Sequence, residues 1–351
     1  MYLVTGGAGF IGSALVHALV RRSIAVVNVD LLTYAASPAS LADVSGAPCY
    51  HFAQVDVCDA QTLRDVFEKY RPTAVLHLAA ESHVDRSIDA PADFIRTNLV
   101  GTFTVLSEAR RHWESLPDEL AQRFRFVHVS TDEVFGSLGP TGQFTERSAY
   151  DPTSPYSASK AGADHLVRAW HRTYGLPAMI TSSSNNFGPR QFPEKLIPRT
   201  IVNALAGEPL DVYGTGQNVR DWLYVDDHVD ALLAVLERGT VGETYGIGGG
   251  NERTNIEVVT AVCDLLDAAE PAHGNVARRE SIRFVEDRPG HDHRYAIDTS
   301  KIASELGWRP RHSFDAALAA TVRWYLEHRG WWEPLLGRGH SSQRLGLGGR
   351  A

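Results

Sequence analysis

A short apolar run, Tyr2-Leu3-Val4, leads directly into Thr5-Gly6-Gly7-Ala8-Gly9-Phe10-Ile11-Gly12, and Ser13 to Arg22 then reads as a helix with Leu15, Val16, Leu19 and Val20 apolar. Glycines between a strand and a helix allow a tight turn and a close approach of backbone to a pyrophosphate, with the helix N-terminus facing the anion. Gly6, Gly9 and Gly12 are spaced G-x-x-G-x-x-G rather than G-x-G-x-x-G, and the same physics applies. Three glycines alone also serve ordinary turns and caps. The strand before them and the helix after them make the run a dinucleotide-binding signal.

The following segments extend that start. Ile24 to Val29 is a second strand that ends at Asp30. An acidic residue there accepts a ribose 2'-hydroxyl and repels a 2'-phosphate, which favours NAD over NADP; a plain loop cap is the competing reading. A third strand, near Tyr50 to Val55, leads to Asp56-Val57. Asp56 is either a partner for an adenine amino group or the N-cap of the helix from about Ala60, a job that also suits Asp59. Ala74 to Leu78 is continuously apolar, as buried parallel strands are, so His77 within it reads as a packed core histidine. Ala79 to Asp85 forms a small-residue loop against which a cofactor can lie, and Pro91 opens a long helix through Thr97, Asn98 and Gly101 to about Trp113. Phe124 to Val129 and Ala178 to Thr181 supply a fifth and a sixth strand. Strands alternating with helices predict an α/β fold built on a doubly wound parallel (Rossmann) sheet.

Beyond that point the alternation weakens. Turn formers and polar groups fill Asn185 to Lys195, Gly246 to Asn251 is a glycine-rich turn, and Asp287 to Asp292 is a polar loop after a strand over Ile282 to Val285. The division expected is an NAD-binding domain over 1–184 to which segments near 213–247 return, a smaller mixed α/β substrate domain over 185–332, and a mobile Gly/Ser/Arg-rich tail over 333–351.

Charge and cysteine use exclude other classes. A formal net charge of -8 argues against a general nucleic-acid or acidic-membrane binder. No run reaches membrane-spanning length, and no signal peptide is visible ahead of the glycine motif. Cys49, Cys58 and Cys263 have no metal-ligand spacing and cannot all pair within one chain, so no metal is expected and the expected compartment is the reducing cytoplasm.

The reactive groups concentrate between Ser130 and Lys160. Ser130-Thr131-Asp132-Glu133-Val134-Phe135-Gly136 follows the fifth strand, at the C-terminal edge where open α/β sheets bind ligands. Tyr156-Ser157-Ala158-Ser159-Lys160 opens a helix for which Ser154 is a good N-cap and Pro155 a good first residue. Tyr156 and Lys160, four apart, share a helix face. An ammonium beside a phenol favours phenolate, so Tyr156 is expected to have a depressed pKa and to serve as a base near neutral pH. Adjacent carboxyls on a regular strand point to opposite faces, so the chain must leave strand geometry near Thr131 for Asp132 and Glu133 to act together.

These pieces resemble the extended short-chain dehydrogenase/reductases and, more narrowly, the dTDP-glucose 4,6-dehydratases. The resemblance spans roughly Leu3 to Trp332. It rests on the joint order of Ala79 to Ser87, Ser130 to Val134, Tyr156 to Lys160, Phe192 to Pro198, Arg220 to Leu223 and Asp287 to His291. Y-x-x-x-K belongs to a whole superfamily, whereas the Asp132-Glu133 pair carries the finer distinction. Related 4-epimerases lack such a pair, and GDP-mannose dehydratases typically have Ser before the Glu. The resemblance implies that Tyr156, with Lys160 and Thr131, deprotonates a glucose 4-hydroxyl while NAD oxidises C4. It implies that Glu133 removes the C5 proton, that Asp132 protonates the leaving C6 hydroxyl, and that the hydride returns to C6. Asp132 must then rest neutral and Glu133 ionised, which a close acid pair favours because double ionisation costs repulsion.

By the same resemblance the cofactor set comprises Gly6, Gly9, Phe10, Ile11, Gly12, Asp30, Leu31, Thr33, Asp56, Val57, Leu78, Ala79, Ala80, Ser82, Thr97, Tyr156, Lys160 and Asn186. The sugar-nucleotide set comprises Ser82, Thr131, Asn185, Lys195, Leu196, Asp211, Tyr213, Arg220, Asn255, Arg288 and His291. Arg220, next to Asp221, reads equally as half of a surface ion pair. Phe187, Arg190, Gln191, Ser182 and Ser183 depart from the family pattern and are expected beside the sugar and nucleotide pocket. The resemblance also implies a homodimer through the long helices near Pro91 to Trp113 and Pro155 to Tyr174. Leu166, Val167, Trp170 and Tyr174 are candidates for its apolar stripe, with core packing an equal claimant.

Overall fold

The structure is a computed structural model that describes residues 1–270 and 276–336. Its main sheet has seven strands: β1 (Tyr2–Thr5), β2 (Val26–Asp30), β3 (Tyr50–Gln54), β4 (Ala74–His77), β5 (Arg125–Thr131), β6 (Ala178–Ser183) and β10 (Thr244–Ile247). Their order is β10-β6-β5-β4-β1-β2-β3 and every neighbouring pair is parallel. This is the 3-2-1-4-5-6 Rossmann order with a seventh strand added, and the order reverses between β1 and β4, where ligands bind in such sheets.

Alternation along the strands builds two cores. Val4, Leu76 and Val127 point to one face, against α1 (Phe10–Arg21) and α9 (Val225–Arg238). Their neighbours Leu3, Val75 and Phe126 point to the other, against α2 (Ala60–Tyr70), α5 (Thr102–Glu114) and α7 (Pro155–Tyr174). All six are fully buried, which explains why these strands read as continuous apolar runs.

The seventh strand was hidden because the sequence reading placed Gly246 and Ile247 in a turn. Gly246 instead pairs with Ser182 on β6, and a Cβ on it would lie 2.8 Å from the Asp298 carbonyl oxygen. The remaining strands form two small sheets. One is β11 (Glu252–Thr254), β9 (Val219–Tyr224) and β7 (Asn185–Phe187); the other is β12 (Ile282–Val285) beside β8 (Leu210–Tyr213). A separate apolar core joins them to α8 (Leu196–Ala206), α10 (Asn255–Ala269) and α12 (Phe314–Glu327).

Three local readings change. The loop expected over 79–85 gives way at Val84 to a short helix, Val84–Asp89. The helix from Pro91 to Glu114 is unbroken, but its Ile95–Gly101 segment is π-helical, a form that recurs at functional sites. Of the tail expected over 333–351, Glu333–Leu335 is a 3-10 turn with Leu335 buried, and 337–351 lie outside the described residues.

Gly12 shows how tightly α1 is docked. A Cβ there would sit 2.0 Å from the Gly6 carbonyl oxygen and 2.7 Å from Gly7 Cα. Gly12→Ala therefore forces backbone apart and should destabilise the protein by about 1–3 kcal/mol or more. A lower urea midpoint at unchanged slope is the expected result; an unchanged midpoint would show that the turn relaxes freely.

Candidate active site

One cavity of about 310 Å³ opens at the C-terminal edge of the main sheet, a size that suits a small-molecule site. Its floor is the glycine turn. Gly6 has φ of +71°, and a Cβ there would meet Ala79 N at 2.7 Å, so only glycine lets this turn lie against the loop after β4. Thr5 Oγ1 secures the same loop by accepting Leu78 N–H and Ala79 N–H, each at 3.1 Å. His77 bonds Thr5 Oγ1 at 2.7 Å and Thr102 Oγ1 at 3.0 Å, so it is a satisfied core histidine. From the π-helical segment, Asn98 pins the loop further by accepting Glu81 N–H and donating to the Glu81 carbonyl.

Asp30 lines the cavity and also caps its loop. Oδ2 accepts Ala8 N–H at 2.9 Å and Oδ1 accepts Leu32 N–H at 2.8 Å. Both sequence readings of Asp30 are thus compatible in one side chain. The ambiguity over Asp56 resolves differently: Asp59 caps α2, accepting from Gln61 N and Thr62 N. Asp56 lines the cavity, with Oδ1 on Cys58 N–H and Oδ2 on the Arg96 guanidinium at 2.7 Å.

The acid pair leaves the sheet as required. β5 ends at Thr131, whose Oγ1 accepts Glu133 N–H at 3.2 Å and caps a 3-10 turn, Asp132–Phe135. The turn brings Asp132 and Glu133 to the same cavity. Burial, with Glu133 and Asp221 nearby, pushes the Asp132 carboxyl well above the ordinary range, which favours its neutral form. Its buried Oδ2 has no hydrogen-bond partner among the described residues. Burial also raises Glu133, and the Arg288, Lys195 and Arg220 cations offset that rise only in part. The two acids are therefore unequal in the direction that a proton donor and a proton acceptor need.

Ser154 and Ser157 form a capping box at the start of α7, with Pro155 in its first turn. This cap sets Tyr156 and Lys160 on the cavity side, 8% and 4% exposed. The Tyr156 ring is edge-on to Phe94 at 6.3 Å. One expectation fails: the phenol is raised, not depressed. Burial and the Glu133 carboxylate dominate, and the Thr131 hydroxyl offsets them only in part. The Lys160 ammonium is turned to the Val129 carbonyl at 2.7 Å, and burial lowers its pKa to about 8.

The expected substrate residues divide into two groups. Ser82, Thr131, Asn185 and Lys195 line the cavity, whereas Gly12 of the cofactor set and Leu196, Asp211, Tyr213, Arg220, Asn255, Arg288 and His291 do not. Several of these are tied to protein partners. Arg288 donates to Asp85 at 2.7 Å, Tyr213 donates to the other oxygen of Asp85 at 2.8 Å, and Lys195 donates to the Ser82 carbonyl at 2.6 Å. Asp211 pairs with Arg283 at the surface, and His291 bonds Asp287 at 2.6 Å. Arg220 is not half of a surface pair: it is buried over the Tyr295 ring and donates to the Asp292 carbonyl at 2.9 Å. Asp221, next to it on the strand, faces away and accepts Gly249 N–H and Asn251 N–H.

The departures from the family pattern are also not all beside the cavity. Phe187 packs in the smaller core against Trp222, Tyr224 and Phe314. Arg190 lies 3.9 Å from Asp43 and over Trp324, while Gln191 and Ser183 do line the cavity. Sequence reasoning missed Glu81, Phe192 and Glu194 among the lining residues. Glu194 bonds Tyr34 at 3.0 Å and Arg86 at 3.2 Å, joining two loops to the Val84–Asp89 helix. Its place between Phe192-Pro193 and Lys195 was the available signal.

With this geometry in view, the relatives are informative. The family model described as GDP-mannose 4,6 dehydratase matches residues 3–321. A dTDP-glucose 4,6-dehydratase of Neisseria meningitidis serogroup B is 57% identical over 350 residues, 99% of each chain. One from Escherichia coli is 51% identical over 357 residues, 98% of this chain and 99% of its own. The crystal structure of DesIV, a dTDP-glucose 4,6-dehydratase from Streptomyces venezuelae solved with NAD bound, superposes with a TM-score of 0.87 at 48% identity, covering 95% of this chain and 99% of its own. Fold, acid pair and full-length similarity agree, and the chain belongs to the dTDP-glucose 4,6-dehydratase family of the extended short-chain dehydrogenase/reductases.

Proposed function

We propose that this cavity converts dTDP-glucose to dTDP-4-keto-6-deoxyglucose, using NAD as a cofactor regenerated in each turnover. The observation that carries the reading is the 3-10 turn after Thr131, which brings Asp132, raised more by burial, and Glu133, whose rise nearby cations partly offset, to the same cavity as Tyr156 and Lys160. The residues fit NAD: the Gly6 and Gly12 positions have no room for a Cβ, and Asp30 stands at the end of β2. When bound, NAD supplies a reversible hydride acceptor and brings a positive ring into the cavity. Tyr156 takes the proton of the 4-hydroxyl, and the Thr131 hydroxyl holds the 4-oxygen. The resulting ketone acidifies C5–H, Glu133 removes that proton, and Asp132 gives its own to the departing C6 hydroxyl. Arg288, Arg220 and Lys195 are assigned to the diphosphate, Arg by its planar fork. His291, Asn255 and the strand Leu210–Tyr213 are assigned to the nucleoside.

Mass spectrometry of dTDP-glucose incubated with the protein and NAD in heavy water tests the reading. A product lighter by one water that carries one solvent deuterium at C5 is the expected result. A product of unchanged mass would replace the assignment with epimerisation.

In this reading residues 1–184, with β10, hold the cofactor and residues 185–332 mainly hold the sugar nucleotide. A second copy of the chain covers an exposed apolar face. Ile95, Val100 and Phe103 on the Pro91–Glu114 helix are 45%, 45% and 48% exposed, and Tyr174 on α7 is 41% exposed. Phe103 meets Trp170 edge-on at 5.7 Å, so the two helices present one surface, as in half of a four-helix bundle. Val167, by contrast, is buried in the main core and belongs to no such stripe. Phe103→Glu should convert a dimer to a monomer in sedimentation analysis; a dimer that persists would place the interface elsewhere. No described helix is long and apolar enough to cross a membrane, and the three cysteines are free. We assign the protein to the cytoplasm on the cysteine chemistry.

A further inference from the structure

Asp164 lies one helical turn beyond Lys160 on α7, is fully buried, and has no part in the chemistry described above. A carboxylate in such a place is costly unless it is paired and hydrogen-bonded. Its Oδ2 accepts two hydroxyls, Ser130 Oγ and Tyr150 Oη, each at 2.8 Å. The Tyr150 hydroxyl is in turn bonded by the Arg168 guanidinium at 2.8 Å. Oδ1 lies 3.3 Å from His128 Nε2 and has no hydrogen-bond partner among the described residues. Burial raises the Asp164 carboxyl, but His128, the Lys160 ammonium and the Ser130 hydroxyl outweigh it and hold the carboxyl below the ordinary range.

The same strand end serves both side chains: the Val129 carbonyl accepts from Lys160 and the Ser130 hydroxyl donates to Asp164. Burial lowers the pKa of the His77 and His128 imidazoles on β4 and β5, and the Lys160 charge lowers both further. Tyr156, one turn before Lys160, is influenced by Glu133, Asp132 and Asp164. Asp164 favours the charged form of Lys160, against the effect of burial.

We propose that Asp164 is a positioning residue for the reaction: as the buried counter-charge one turn from Lys160, it keeps that ammonium protonated and in place, and so sets the alkaline limit of activity. The proposal rests on the reading of Tyr156 as the base and Lys160 as its cation.

The test is the pH profile of kcat/KM for the NAD-loaded enzyme with dTDP-glucose. Without the anion, burial alone acts on Lys160 and its proton is lost at lower pH. Asp164→Asn should move the alkaline limb down by about one pH unit, a roughly tenfold greater loss at pH 9 relative to pH 7 than in the wild type. Asp164→Glu, which restores the charge, should keep the wild-type limb even if its overall rate falls. If Asp164→Asn does not fold, Asp164→Ser carries the same test, since it leaves room for water beside Ser130 and Tyr150. A neutral variant with uniformly reduced activity and an unmoved limb overturns the proposal while Lys160→Met stays inactive. A Lys160→Met enzyme that keeps both rate and profile overturns the proposal together with the reading of Lys160.

Discussion

Tyr156→Phe lowers kcat by about 10³- to 10⁴-fold, at the upper end of what a positioned base contributes, and leaves NAD bound. The change removes one oxygen from a ring already held by burial and by its edge contact with Phe94, so the fold has little reason to respond. What is lost is the acceptor for the 4-hydroxyl proton, without which C4 is not oxidised and elimination cannot begin. The raised phenol makes the effect pH-dependent. The positive ring of bound NAD opposes the burial and carboxylates that disfavour phenolate, and wild-type activity falls as pH drops below the phenol pKa of the loaded enzyme. Turnover at saturating dTDP-glucose, with the absorbance of copurified cofactor, measures both parts. A variant within tenfold of wild type would remove Tyr156 from the base role.

Glu133→Gln and Asp132→Asn should each cost roughly 10²- to 10⁴-fold in overall turnover but fail at different steps. Glu133 is the acid that Arg288, Lys195 and Arg220 draw toward ionisation, so its amide cannot take the C5 proton and solvent deuterium should no longer enter at C5. Burial favours the neutral form of Asp132, and Asn imitates its shape without offering an acidic proton. In that variant C5 exchange continues while water loss slows, and a 4-keto-hexose that still contains its C6 hydroxyl accumulates. Quenched time courses in heavy water, read by mass, separate the two losses. Equal loss of exchange and elimination in both variants would mean that the acids do not divide the work.

Local chemistry determined much of this protein before any contact was known. The glycine turn, the acid ending β2 and the apolar runs over 74–78 and 124–129 depend on neighbours within a few residues, as do the Ser154 cap and the Tyr156–Lys160 spacing. The requirement that the chain leave strand geometry after Thr131 followed from the two-residue period of a strand alone, and the 3-10 turn meets it. Long-range placement was a different matter. β10 joins the main sheet from more than sixty residues beyond β6, through a glycine that reads as a turn until Ser182 is seen beside it. Phe187 could not be assigned to a core rather than a pocket until Trp222 and Phe314 were brought to it. Electrostatics depended most on the tertiary structure. Two side chains four residues apart suggested an ammonium that depresses a phenol. Burial raised that phenol, and the packed structure set the ammonium against the Val129 carbonyl, with Asp164 one helical turn beyond it. Desolvation and facing charges come from the whole packed molecule, and no short stretch of sequence contains them.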